Sequence, residues 1–520
     1  MDEIINNIVK KLNLSTHDQD LDKNKNYAII CDRVHPDYTF KSLSLINIAK
    51  KKKIFKTIIF TESKKEFISK QIFKASGLNN FYQTNKINFL KNTTRLLFLF
   101  INALWLILFK GFNGFIKDFK IFNVKFGDLI YDQYARYNHN FARNNHLNKY
   151  FIKELIISIN KILNIKNFLD KKKVSLAIIG QHCYANNSIF IARLIAKKKT
   201  KCFLISGPNV IFYKDPSFSF RYPFKVLNEQ IKALNFNDYN VKKIYKKYLI
   251  KRNAGKLYYL HDNINSNFKK NYYKAENLDE FFKVKANKIK KKILFAAHVF
   301  ADGAHACGNI IFKDYFEHFE QTINFFKDKK DILLIIKPHP SSHLLNEEGF
   351  IENYFKKNNL SRYKNIQLAP KDVKIYSLID YVDNVTSCSG TAALETAAFF
   401  GKKPILAGQS YFSDLGFTLD CKSKERYFFY LENLKKIKRL TKSQQLNANK
   451  TIYIHECQNN WKNFGGIFPP NLRIFKKKKL ALISNQNYLS ILSKNLKKKY
   501  KFIHKDTYFI FLKKLIKDNY

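Results

Sequence analysis

The sequence predicts an α/β chain made of two Rossmann-like, doubly wound domains. Three observations support this. Short runs rich in Ile, Leu and Val recur in both halves, as strands buried on both faces of a parallel sheet do. Helical stretches follow them at βαβ spacing. Polar residues gather where the runs end, the side on which open α/β sheets bind ligands.

In the first half, residues 27–31 form an apolar strand that ends in Asp32-Arg33-Val34-His35-Pro36-Asp37. A helix over 40–50 and a strand over 54–61 follow. Asp32 and His35 therefore lie at a strand's carboxyl end, where they either turn the loop or serve a site. Residues 96–109 are the most apolar run, bounded by Arg95 and Lys110 and interrupted by Asn102. As a helix this run covers about 21 Å, short of the roughly 30 Å hydrocarbon core of a membrane. It reads as a buried helix or as a monotopic membrane contact, the second favoured by its Lys/Arg flanks, Trp105 and several Phe. Strands over 174–180 and 202–206, with a helix between them through Arg193, complete a first domain over 1–288 with 96–109 inserted. The stretch 236–290 is rich in Lys and Asn and shows no buried strand, which puts the domain junction near its end.

The second domain is expected over 289–470, with a tail over 471–520 of no assigned role. It opens with a strand over 292–297 and a loop from His298 to Gly308 that holds two histidines and an aspartate among alanines and glycines. Such a loop lets backbone approach a phosphate. With His339 and His343 these histidines can be drawn as a metal site, but their spacing fits no helical or finger motif and no metal is expected. The run 331–336 stops at Lys337-Pro338-His339-Pro340, where the prolines stiffen the turn that presents His339. Residues 384–387 form another strand, and Ser387-Cys388-Ser389-Gly390-Thr391 is a small-residue turn before a helix over 392–400. Gly401 stops that helix and Pro404 follows. Hydroxyls and N–H groups at a helix start make an anion site. Glu395, four residues after Thr391, shares its helix face and could reach an adjacent sugar hydroxyl. Together these residues point to the phosphate and ribose of a nucleotide. A strand over 405–407, a Gly- and Ser-rich loop over 408–418 and charged helices over 431–458 follow.

At 520 residues and 46% hydrophobic content the chain is ordinary globular material, long enough for several cores. Its formal net charge of +52 raises nucleic acid or an anionic membrane as a partner. The excess is Lys rather than Arg, is spread along the chain and accompanies heavy use of Asn, Ile, Phe and Tyr, as AT-rich coding would produce. No compact basic-aromatic motif supports a nucleic-acid binder, the reading from another functional class. The seven cysteines are scattered without a CxxC pair, which argues against a disulfide framework and for a reducing cytoplasm. The N-terminus lacks the basic head and apolar core of a signal peptide.

Over about residues 292–420 the chain resembles the capsule polysaccharide biosynthesis proteins, which include GT-B-type Kdo transferases. The resemblance rests on Lys337-Pro338-His339-Pro340, the Ser387 to Thr391 turn with Glu395, Gly401-Lys402-Lys403-Pro404, and Gly408-Gln409-Ser410-Tyr411-Phe412 followed by Gly416-Phe417-Thr418. The first half adds only Gly127-Asp128-Leu129-Ile130-Tyr131-Asp132. The resemblance implies two Rossmann-like domains facing a cleft, with a nucleotide-sugar donor on the second and a glycan or glycolipid acceptor on the first. It implies that His339 contacts the donor phosphate, that Ser387, Ser389 and Thr391 complete the cradle, and that Glu395 lies near the ribose; Lys337, beside His339, can also stabilise the leaving phosphate. Cys388 departs from the paired serines common in the family. Glycosyl transfer needs a stabilised leaving phosphate and a base. The base candidates are Asp302 and His305, or Asp32 and His35 on the acceptor side. No cofactor is expected beyond the donor itself, with CMP-Kdo the first candidate. A polyol-phosphate transferase using a CDP-linked donor is the nearest enzyme alternative. The expected place is the cytoplasm, with peripheral contact at the inner membrane.

Overall fold

The computed structural model describes residues 2–15, 26–31, 36–51, 56–62, 68–85, 89–137, 147–180, 186–196, 198, 200–206, 209–212, 225–253, 274–283, 289–305, 308–340, 342–370, 372–458, 473–476, 479–482, 488–490, 492–494 and 513–518. It contains two six-stranded sheets. The first consists of β1 (Asn26–Cys31), β2 (Lys56–Thr61), β3 (Phe81–Gln83), β4 (Lys173–Ile179), β5 (Lys201–Ser206) and β6 (Asn209–Phe212), in the order 3-2-1-4-5-6. All its neighbours are parallel except β5 and β6. The second consists of β7 (Lys291–Ala296), β8 (Ile332–Lys337), β9 (Ile366–Leu368), β10 (Asn384–Ser387), β11 (Ile405–Leu406) and β12 (Leu419–Asp420), in the order 9-8-7-10-11-12 and parallel throughout. Both orders are doubly wound, so the two predicted Rossmann-like domains are present.

The second sheet shows why its strands read as continuous apolar runs. Ile293, Phe295, Leu334 and Ile336 face one core with the helices Tyr315–Phe326 and Lys424–Glu432. The alternate residues Leu294, Ala296, Leu333 and Ile335 face a second core with the helix Ile375–Tyr381. Side chains alternate across a strand, so β7 and β8, covered on both faces, carry apolar residues at successive positions. Each buried Leu or Ile contributes about 1.5–3 kcal/mol.

The compact units divide differently from the boundary expected near residue 288. One comprises 1–133, 147–223 and 460–520; the other comprises 134–146 and 224–459. The Lys-rich stretch after 224 joins the second unit because Ile231, Tyr245 and Tyr248 bury against Leu394, Ala397 and Ile452, while Lys232, Lys242, Lys243, Lys246 and Lys247 are exposed. The tail joins the first unit through Tyr488, Leu489, Leu492 and Ile516, which enter the core around Ala28, Ile30 and Phe40. The Tyr488 hydroxyl donates to Asp37 Oδ1 at 3.0 Å. These contacts link residues far apart in sequence, which periodicity does not reveal.

The Gly127-Asp128 motif has a structural role in the first unit. A Cβ on Gly127 would lie 2.0 Å from the Phe115 carbonyl oxygen, so only glycine permits that approach. Asp128 is buried and receives a bidentate pair from Arg193, at 2.7 and 3.0 Å.

Candidate functional site

Strand order reverses between β7 and β10, and an open α/β sheet has its ligand crevice at the carboxyl ends of such a pair. β10 ends at Ser387, and Cys388, Ser389 and Gly390 lead into the helix Thr391–Phe400. Gly390 occupies the N-cap position and provides no side-chain cap, so no side chain of its own competes with an anion for the first turn, in which the Ala393 N–H bonds the Gly390 carbonyl at 3.1 Å. The space beside this glycine is tight: a Cβ there would lie 3.2 Å from Ser387 Oγ and 3.6 Å from His298 Nε2. Gly401, at φ 60°, ends the helix as predicted.

His298, two residues beyond β7, organises the turn. Its Nε2 accepts the Ser389 N–H at 3.1 Å and lies 3.4 Å from Ser387 Oγ. As an acceptor there, the ring carries its proton on Nδ1. The ring stacks on Tyr315, with centroids 4.3 Å apart and planes 10° apart. Sequence reasoning placed His298 in the loop but assigned it no role. Its position just past the strand at the reversal point was the available signal.

His339 stands two residues past Lys337, as His298 stands two past Ala296, and Lys337 and Ala296 are register partners on β8 and β7. The Ala297 N–H donates to the Lys337 carbonyl at 3.1 Å, extending that ladder toward both histidines. His339 is half-buried, and its carbonyl accepts from the Ser342 N–H.

The hydroxyls expected to form one cradle are placed differently from one another. Ser387 is buried and donates to the Ala296 carbonyl at 3.0 Å, tying β10 to β7. Ser389 is also buried, and its carbonyl accepts from Ser410 Oγ at 3.1 Å. Thr391 is exposed at the helix start. Cys388 points into the core, where a Cβ on Gly408 would meet its Sγ at 2.7 Å, so the departure from serine removes no hydroxyl from the turn. Lys337 Nζ donates to the Pro370 carbonyl at 2.6 Å. Glu395 is buried on the inner side of its helix, where its charge is one of the influences that raise the Tyr245 phenol, after burial itself and Cys457. Lys402 also serves the fold: its ammonium donates to the Ile379, Asp380 and Val382 carbonyls and so caps the end of the helix Ile375–Tyr381, and burial lowers its pKa to about 8.

Asp302 is exposed and turns its own loop by accepting the Gly303 N–H at 3.2 Å; His305 is half-buried, and its carbonyl accepts from the Gly308 N–H. That loop is held by Glu347, which sequence reasoning missed. Glu347 is buried and accepts the N–H groups of Phe300 at 2.8 Å and Ala301 at 2.5 Å. Burial raises its carboxyl to about 7, with Asp302 adding to the rise and the two N–H donors opposing it. Asn346-Glu347-Glu348-Gly349 reads locally as a charged turn, so nothing nearby signalled this clamp. Asp32 and His35 lie outside the described residues. Among the described residues, no group of three or more His, Cys, Asp or Glu side chains is placed to hold a metal ion.

No protein-family model and no curated protein matches the chain. Solved structures that it resembles include a β-Kdo 2,4-transferase, KpsC of Thermosulfurimonas dismutans, at 12% identity over 62% of this chain and 87% of that one, TM-score 0.27. Another is UDP-GlcNAc 2-epimerase of Neisseria meningitidis bound to UDP-GlcNAc, at 12% identity over 84% and 100%, TM-score 0.25. A third is HepE of Anabaena in complex with UDP-glucose, at 10% identity over 84% and 96%, TM-score 0.26. Likenesses this distant carry no argument about activity or substrate.

Proposed function

We propose that the chain is a glycosyltransferase of surface polysaccharide assembly that binds a nucleotide-sugar donor at the carboxyl edge of β7, β8 and β10. The observation that carries this reading is the uncapped helix start at Gly390, held by His298 at the point where strand order reverses. The donor phosphates meet the first-turn N–H groups and exposed Thr391, while His339 faces the leaving phosphate from the neighbouring strand end. Fixed N–H dipoles and an imidazole stabilise the charge that builds as the nucleotide departs. Asp302 and His305, on the loop after β7, are the base candidates on this unit. Ser387, Ser389 and Lys337 act behind that surface by shaping it, and Glu395 supports the helix from its inner side. The acceptor is a glycan or glycolipid, and the chemistry takes place in the cytoplasm.

A CMP-activated acidic sugar such as CMP-Kdo is the donor we test first. Thermal unfolding with CMP, CDP, UDP and GDP reads the base: a ligand that binds only the folded state adds about 2.7 kcal/mol at a hundredfold excess over its Kd. Stabilisation by UDP or GDP but not CMP rejects the CMP-sugar donor and keeps nucleotide binding. No stabilisation by any of them rejects the site. A phosphodiester in the product replaces glycosyl transfer with transfer of a polyol phosphate. Nucleic acid is not a partner in this reading, and tight salt-sensitive binding of nucleic acid without nucleotide affinity would overturn it.

A further inference from the structure

The helix Phe89–Asp118 is longer than its apolar run, because Asn92, Thr93, Thr94 and Arg95 continue it before Leu96. It breaks at Gly111, φ 63° and ψ −175°. The part before the break is about 22 residues and about 33 Å long at ~1.5 Å per residue. Length alone therefore no longer decides between a span and a surface contact, and packing does. Leu99, Ala103, Leu106 and Ile107 are buried on one side. Asn92 donates to Asn164 Oδ1 and accepts from Asn167 Nδ2, each at 3.1 Å, which ties the helix to Lys149–Lys171. Beyond the break, Phe112 and Phe115 pack edge-on against Phe151 of that same helix. One face is thus docked on the folded unit along its length.

The opposite face is equally apolar and lies in solvent. Leu97, Phe98, Ile101, Trp105, Leu108 and Phe109 are 54, 67, 55, 50, 71 and 73% exposed. At ~100° per residue they fall within about a third of the helix circumference. Soluble monomers rarely leave so large a contiguous patch exposed. The helix carries Lys91, Arg95, Lys110 and Lys117 against a single acidic residue, Asp118, which pairs with Lys110 at 3.0 Å, on a chain of net charge +52. An apolar face with a basic flank and an aromatic ring is complementary to the boundary between acyl chains and anionic headgroups.

We propose that this face is a monotopic docking surface for anionic lipid, lying in the plane of the membrane with the docked side toward the protein. A span would need the buried side to leave its own unit. The proposal is independent of the donor reading. In the test, full-length protein is floated with vesicles of phosphatidylglycerol and phosphatidylethanolamine, and with phosphatidylcholine vesicles for comparison. The expected result is co-flotation with the anionic vesicles, at least about tenfold weaker for a variant carrying Ile101→Ser, Trp105→Ser and Leu108→Ser, whose circular dichroism is unchanged. These positions are exposed, so their replacement spares the core, which Leu106→Ser would not. Should the variant fail to fold, brominated acyl chains provide a second readout: they quench a fluorescence component of the unmodified protein that Trp105→Phe abolishes. Absence of flotation, undiminished flotation of the folded variant, or no Trp105 quenching overturns the proposal. A lipid-free dimer that becomes monomeric in the variant overturns it too, and assigns the face to a second copy.

Discussion

Glu347→Gln tests the clamp behind the candidate site. The buried carboxyl takes up its proton near pH 7 in the folded chain instead of near its ordinary 4.5, chiefly because burial penalises its charge. A raised carboxyl pKa means that the folded state holds the proton more tightly than the unfolded state. Its contribution to stability is therefore complete below about pH 4.5 and is lost as pH rises through about 7. At about 1.36 kcal/mol per pH unit, the loss is about 3 kcal/mol. Glutamine does not titrate, and its NH2 cannot accept from either N–H, whereas the protonated carboxyl keeps an acceptor oxygen for each of the Phe300 and Ala301 N–H groups. The variant should thus be less stable than the parent at pH 4.5 by about one hydrogen bond, ~1 kcal/mol, and should overtake it by pH 8. The chain has two compact units, so a whole-chain melt does not isolate this one loop. Hydrogen exchange of peptides spanning 291–305, compared between parent and variant at matched pH, reads the local stability. A difference that stays constant from pH 4.5 to 8 would refute the reasoning, because Glu347 would then titrate where an exposed glutamate does.

Gly408→Ala places a Cβ 2.7 Å from Cys388 Sγ and 3.1 Å from Ile310 Cγ2, which should cost about 1–3 kcal/mol. Adding Cys388→Ala should recover part of that loss in a double-mutant cycle, whereas additive costs would show that the strain lies elsewhere. Tyr427→Phe removes a buried hydroxyl shared by His318 Nε2 at 2.9 Å and the Thr322 and Thr386 hydroxyls at 3.1 Å each, for a loss of about 1–3 kcal/mol in urea titration. An unchanged midpoint would mean the network contributes nothing net. His298→Ala frees the Ser389 N–H and should weaken nucleotide binding roughly tenfold, while His339→Ala should lower turnover more than affinity. Calorimetric titration of the stabilising nucleotide measures the first, and parental affinity in the folded His298→Ala protein would remove that histidine from the site.

The sequence by itself determined the elements and where they end. The strand over 331–336 was legible because a strand buried on both faces needs an unbroken apolar run. Gly401 was legible as a helix stop because the left-handed cap is a local steric requirement. Only the tertiary structure decided what each polar side chain does at those ends. Ser387 and His298 meet because β10 lies beside β7, although 89 residues separate them, and that adjacency gives the Ser387 hydroxyl the Ala296 carbonyl as its acceptor and sets His298 against the Ser389 N–H. Lys337 reaches Pro370, Glu347 reaches the Phe300 and Ala301 amides, and Cys388 faces Gly408 for the same reason. Likewise Leu106 and Leu108 belong to one apolar run, yet the first is core and the second surface. Hydrophobic pattern and turn chemistry act over a few neighbouring residues, whereas the direction of a hydroxyl or carboxylate is set by whichever strand the sheet places next to it.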